Sequence, residues 1–187
     1  MYQPYLSEAV QGVNMPKSSA QTIEFSCVTT AFATVLIALS AKGVCTILLG
    51  DTAEELIADL QQRLPNANLH RNDQDLALDL KTVTDFLAAP LTPLDFPLDI
   101  QGSDFQKSVW GVLQTIPVGQ TLSYSDVAER LNKPKAVRAV ANACAANPLA
   151  LVIPCHRILC SDGGISGYRW GVERKRALLA KEQQACT

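Results

Sequence analysis

The chain has 187 residues, of which 48% are apolar and 18% charged; this supports one mid-sized or two small folded units and excludes a disordered polyampholyte. No apolar run approaches the ~20 residues that span a bilayer, the N-terminus MYQPYLSEAVQG lacks a secretory pattern, and six Cys are too few for a disulfide scaffold, so free thiols in a reducing, cytoplasmic setting are expected. The net charge of −2 hides an asymmetry: residues 1–100 carry five Lys and Arg against twelve Asp and Glu, residues 101–187 eleven against six, which points to polyanion binding by the second half if its cations share a face.

Residues 1–20 are polar and aperiodic and read as a leader or linker. Three apolar, β-branched runs follow, IEFSCVTT (23–30), ATVLIALS (33–40) and GVCTILLG (43–50), and predict an antiparallel three-stranded meander. Asp51 or Thr52 caps a helix through Leu64, with Leu56, Ile57, Leu60 and Leu64 on one stripe. A second helix is predicted over Asn72–Ala89, with Leu76, Leu80, Val83 and Leu87 spaced by three and four. His70, in the polar stretch LHRND, reads as an exposed loop residue rather than a ligand, and Cys27 and Cys45 as core residues. Pro90, Pro93 and Pro97 then break the pattern, which places a domain boundary near residue 100.

The remainder is mostly helical. GSDFQKSVWGVLQTI (102–116) has Ser103 as cap and Pro117 as stop. Ser123 caps a short helix, YSDVAERL (124–131); Asn132-Lys133-Pro134 breaks the chain; and a slim, Ala-rich helix runs from about Lys135 to Ala146, with Val137, Val140 and Cys144 inward and Arg138 and Asn142 on another face. Two short helices joined by a tight break read as a helix-turn-helix. The fold class is therefore α+β: a small N-terminal α/β domain (21–100) and a mostly helical C-terminal domain (101–187).

The run LALVIPCHRILC (149–160) carries the chemistry. Cys155 and His156 sit inside a core-type segment. The neighbouring His and Arg157 are expected to lower the thiol from its usual ~8.5 toward ~6. In an extended strand, adjacent side chains point to opposite faces, so the two can cooperate only across a turn, which Pro154 can set, or through a water. A plain buried Cys beside a structural His remains the competing reading. Cys155 and Cys160 have no second ligand pair at finger-like spacing, which argues against zinc. A His acting as base needs an orienting acid, and the helix beginning near Val172 offers Glu173 and Glu182, between which periodicity does not choose. Arg174, Lys175 and Arg176 read as a basic run on that helix's outer face. The loop before it, with Gly163, Gly164 and Gly167, is expected to be flexible. A Cys-His-Glu hydrolase would use the same groups and predicts turnover without DNA.

In order, LSYSDVA, KPKAVRAVANACAANPLALVIPCHR and GYRWGVERKRALLAKE resemble the O6-alkylguanine-DNA alkyltransferase family, strongly over roughly 100–185 and more weakly back to about residue 21, with the wording nearest its adaptive-response branch. The resemblance implies direct DNA repair: one irreversible transfer of an alkyl group from O6 of guanine, and from O4 of thymine, to Cys155, after base flipping from the minor groove. It implies that His156 takes the thiol proton through a water, that Glu182 rather than Glu173 holds His156, that Asn147 braces the active-site turn, and that Tyr124 meets the flipped base and protonates departing guanine. Arg138 would fill the gap left by the base, and Ser123, Lys135, Ala139 and Asn142 would complete the DNA contact. Main-chain groups of Cys155, Ile158, Tyr168 and Arg169 would bind the guanine edge. Some members hold a zinc through N-terminal Cys and His. Cys27, Cys45 and His70 do not reproduce that set, so no metal and no cofactor is expected. The resemblance further implies duplex DNA rather than a membrane as partner, and a nucleoid-associated monomer that is expected to be either stand-alone or cut from a larger adaptive-response protein. Cys144, Cys160 and Cys186 are bystanders in this reading.

Overall fold

A computed structural model describes residues 20–92 and 94–186; apart from Ala20, the leader read at 1–20 lies outside the described residues. The three β-branched runs form β1 (Thr22–Thr29), β2 (Thr34–Ser40) and β3 (Gly43–Gly50), paired antiparallel with Phe25 opposite Ala38 and Ile37 opposite Ile47. The Thr30 hydroxyl organises the first turn, accepting from the Phe32 and Ala33 amides at 3.1 Å. At the second turn Gly43 has φ +139°, and a Cβ there would lie 2.2 Å from the Pro97 carbonyl oxygen; only glycine permits that approach. Val35, Leu36, Ile37 and Ala38 are all fully buried, so both faces of β2 are covered.

The sheet has four strands rather than three. Asn68–Arg71 forms β4, parallel to β1, and the order is β3-β2-β1-β4. His70 is thus exposed on an edge strand, not in a loop. The strand escapes sequence reading because four residues with one inward apolar group, Leu69, show no alternation. Cys45 is buried as expected, whereas Cys27 is only half-buried. Helix α1 (Ala53–Arg63) starts at the Thr52 cap, whose hydroxyl accepts from the Glu55 amide, and buries Leu56 and Leu60. Helix α2 (Ala77–Ala88) begins five residues later than its periodicity suggests. The Asn72 side chain accepts from the Asp75 amide at 3.2 Å and closes a local turn in place of the first helical turn.

The second half follows the expected α+β plan: α3 (Asp104–Gln114), β5 (Leu122–Ser123), α4 (Tyr124–Arg130), α5 (Val137–Ala145), β6 (Ile158–Leu159) and α6 (Val172–Ala185). Ser103 with Gln106, and Ser123 with Asp126, make reciprocal capping boxes, each satisfying two backbone amides otherwise left unpaired. Asn132 takes a left-handed φ of 55° between α4 and α5, which Asn tolerates. Pro134 then opens a 3-10 turn over 134–136, so Lys135 precedes the α-helix rather than starting it. The buried Trp110 of α3 donates its indole N–H to the Ala143 carbonyl at 2.8 Å, locking α3 to α5.

Both halves meet at the outer edge of β3. The Val44 amide donates to Pro97 and the Val44 carbonyl accepts from Asp99; the Ile47 amide donates to Pro148 and its carbonyl accepts from Ala150. The exposed sheet edge is thereby paired. The segment leading to Cys155 is anchored on the N-terminal sheet.

Candidate active site

From this anchor the chain turns sharply. Leu151 is buried at φ +71°, a left-handed conformation that costs an L-residue roughly 1–2 kcal/mol and must be held by its surroundings. Asn147 does so. Its Oδ1 accepts from the Leu149 amide at 2.8 Å, and its Nδ2 donates to the Ile153 carbonyl at 2.8 Å and to Cys155 Sγ at 3.2 Å. Pro154 starts a single 3-10 turn over Cys155–Arg157, closed by the Arg157 amide on the Pro154 carbonyl. At three residues per turn the side chains fan roughly 120° apart, instead of alternating as they would in a strand.

His156 and Arg157 both reach Glu182 of α6, seated 2.7 Å (Nε2 to Oε1) and 2.9–3.1 Å away. His156 and Glu182 are each 0% exposed. Burial by itself would raise the Glu182 carboxyl, but the hydrogen bonds and charges of His156 and Arg157 outweigh it and hold the group at about 2. Burial depresses His156, with Glu182 opposing; the imidazole is therefore neutral beside an ionised carboxylate. An ionised carboxylate only accepts hydrogen bonds, so Nε2 carries the proton and Nδ1 is the bare lone pair. That Nδ1 is buried and makes no hydrogen bond.

Cys155 is 5% exposed, and its thiol departs from expectation. Burial raises it to about 11, with the Asn147 bond and the Lys175 charge only partly opposing. The sequence neighbours do not lower it, because Arg157 is turned to Glu182 and to the Ile116 carbonyl. The cation that opposes burial most is Lys175, with Arg169 adding less. Far from lying on an outer face, Lys175 is 0% exposed and donates to the Ile158 carbonyl and, at 3.2 Å, to Ser166 Oγ. Ser166 in turn is 2.7 Å from the Tyr124 hydroxyl. A cavity of about 470 Å³ is lined by Tyr124 of α4, Ala141, Cys144 and Ala145 of α5, Cys155, and residues 166–169. The cavity therefore joins a thiol to a phenol whose hydrogen bonds lead back to a buried ammonium.

The other expected residues lie as follows. Glu173 is exposed and pairs with Arg176, away from His156. Lys135, Arg138, Ala139 and Asn142 are exposed around the helix-turn-helix, and Ser123 is the half-buried cap of α4. Ile158 is buried; its amide donates to the Cys155 carbonyl and its carbonyl accepts from Lys175. A ligand would therefore meet only the second lone pair of that carbonyl. Tyr168 packs edge-on against His156 and Trp170. Arg169 spans from Asp59 to the Ala145 carbonyl. Sequence reading missed Lys175 and Ser166. A signal for the first existed: Lys175, Leu178 and Glu182 are the buried residues of α6, spaced as i, i+3, i+7 on one face. Ser166 gave none. Among the described residues no group of three His, Cys, Asp or Glu is arranged to hold a metal.

Residues 104–184 match the family model described as the DNA-binding domain of 6-O-methylguanine DNA methyltransferase. The chain is 51% identical over 149 residues to the "Bifunctional transcriptional activator/DNA repair enzyme Ada" of Escherichia coli, covering 80% of this chain but only 42% of that protein. It is 41% identical over 132 residues to the inducible "Methylated-DNA--protein-cysteine methyltransferase" of Bacillus subtilis, covering 71% of this chain and 74% of the relative. Its fold is similar to that of Mycobacterium tuberculosis OGT in complex with DNA, with a TM-score of 0.74 at 28% identity over 88% of this chain and 94% of that one. With an anchored, buried cysteine at the head of a cavity and relatives of this closeness, the chain belongs to the 6-O-methylguanine DNA methyltransferase family.

Proposed function

We propose that this chain repairs alkylated duplex DNA directly, moving an alkyl group from O6 of guanine, and from O4 of thymine, to Cys155 once per molecule. Residues 101–187 carry the chemistry and the DNA contact, and 21–100 anchor them. The observation that carries the reading is the arrangement of Cys155 at the cavity, backed by a neutral His156 with a free Nδ1 and by an ionised Glu182. An alkyl group on O6 is inside the duplex, so the nucleotide must leave the stack to reach the cavity, at a cost of a few kcal/mol. Arg138, exposed on slim α5, fills the gap from the minor-groove side, with Lys135, Ala139, Asn142 and Ser123 against the backbone.

The thiol is protonated at rest, which protects it from adventitious chemistry. His156 Nδ1 takes its proton by way of one water, and Lys175 stabilises the resulting thiolate. The sulfur attacks the alkyl carbon; the S–C bond forms as the C–O6 bond breaks. The electron pair leaves on guanine, which takes a proton from the Tyr124 hydroxyl, and Ser166 and Lys175 resupply that hydroxyl. The thioether product has no labile centre, so the protein acts once, as a cytoplasmic monomer on the nucleoid.

Exposure to O6-methylguanine duplex should add one methyl to the peptide holding Cys155, seen by mass spectrometry, with Cys155→Ala unmodified yet still bound to DNA. An unmodified Cys155 while the lesion disappears, or repeated turnover of the kind a hydrolase would show, overturns the proposal.

A further inference from the structure

The loop between β6 and α6 lines the cavity and contains Gly163, Gly164, Gly167 and Gly171. Gly163 and Gly171 have φ of +79° and +99°, and a side chain added at Gly163 or Gly167 would meet nothing within 4 Å. The segment is open at Gly163 and Gly167 and packs inward through Tyr168, on His156 and Trp170; the rest of it is positioned by side-chain ties. Ser166 ties one end to Tyr124 and Lys175, and buried Trp170 closes the other. Between them Arg169 reaches out of its half of the molecule. Its guanidinium grips Asp59 of α1 with both carboxylate oxygens, at 3.0 and 3.1 Å, and touches the Ala145 carbonyl at 3.4 Å. Ala145 and Arg169 both border the cavity that holds Cys155.

Asp59 is shared. Arg63, one turn further along α1, donates its Nε to the same carboxylate at 3.1 Å, and its Nη2 is buried without a partner. The carboxylate therefore stands between two guanidiniums. Without it they face each other uncompensated, and the one on the glycine-rich loop is the one free to move. A partly exposed ion pair adds little to global stability. Gly167 and Arg169, exposed on either side of the packed Tyr168, need only a small bias to change position.

We infer that Asp59 is a positioning residue that sets how bulky an alkyl group the cavity accepts: through Arg169 it holds residues 166–169 against Cys155. The inference rests on the alkyl-transfer reading for its substrate, while the holding of the loop stands apart from it. It also gives the acidic N-terminal half a task at the active site, although Asp59 and Arg169 lie 110 residues apart in sequence.

Hydrogen exchange of the unreacted protein reads the loop directly. In Asp59→Asn, amides of 167–169 should exchange about tenfold faster than in the wild type, and Asp59→Glu should restore most of the protection. The ratio of transfer from free O6-benzylguanine to that from free O6-methylguanine should rise about fivefold in Asp59→Asn. Asp51→Asn, which breaks the neighbouring exposed pair with Arg174, serves as a comparison for generic loss of an ion pair and should leave that ratio unchanged. Unchanged exchange in Asp59→Asn, or a ratio that shifts equally in Asp51→Asn, overturns the inference. A wild type that transfers no alkyl group would instead defeat the proposed function and leave the exchange result to decide whether Asp59 holds the loop.

Discussion

Two sets of basic residues in the C-terminal half look alike in sequence and end in opposite places. Arg130, Lys133, Lys135 and Arg138 of the helix-turn-helix are exposed, and Lys133 lies 5.3 Å over the Phe105 ring. Arg174, Lys175 and Arg176 of α6 are consecutive, yet only Arg176 faces solvent, where it meets Glu173. Arg174 joins Asp51 and the Trp170 carbonyl, and Lys175 is buried among thiols and carbonyls. With Arg157 and Arg169, much of the positive charge that distinguishes this half is spent on Glu182 and on the acidic residues of the other half. Charge asymmetry along a chain thus reports internal docking as readily as it reports a polyanionic partner. Of the two sets, the helix-turn-helix one keeps its charge open to a polyanion.

The sharpest way to test the inward set is through Glu182, which compensates Arg157 and orients His156. Glu182→Gln should slow alkyl transfer by about 10²–10³-fold, the range for loss of an oriented base, and leave Arg157 buried without its counter-charge. Glu173→Gln should stay within about twofold, because that carboxylate contacts only an exposed Arg. Similar losses in both would erase the distinction between inward and outward faces of α6.

Lys175 offers a smaller but more specific break. Cys155 sits at about 11 because burial dominates, so its reactivity toward iodoacetamide should climb with pH as thiolate appears and level off only near that value. Lys175→Met removes a cation that lowers the thiol, which moves the profile to higher pH and cuts reactivity at pH 8 by about tenfold for each unit of displacement. A profile that does not move, in a variant of wild-type fold by circular dichroism, would show that Lys175 has no electrostatic hold on the sulfur.

The outward set should show the weakest and most substrate-dependent effects. Arg138→Ala is expected to reduce transfer from methylated duplex by about tenfold while sparing free O6-benzylguanine, whose reaction involves no flipped nucleotide. Equal loss on both substrates would move Arg138 from DNA handling to folding.

Much of this molecule is legible residue by residue. Capping by Thr52, Ser103 and Ser123, the β-branched meander and the Asn132 break all follow from local sterics and hydrogen bonding, which act within a few residues. What escaped was decided by partners distant in sequence. β4 exists because β1 offers an edge to a segment too short to signal itself. The first turn of α2 is lost to a single Asn72 hydrogen bond. Lys175 turns inward because α6 must present Glu182, seven residues on, to His156 and Arg157.

The amino-acid order alone determines the long elements, the helix-turn-helix and the motif that marks Cys155, because each is written in spacing and side-chain type. Tertiary structure alone decided the ionisation of that thiol, the inward burial of Lys175 and the capture of Arg169 by Asp59; Glu182 is separated from Glu173 by resemblance, never by spacing. The reason is physical: desolvation and Coulomb interactions depend on what lies within a few ångströms in space, and chain spacing does not encode that distance.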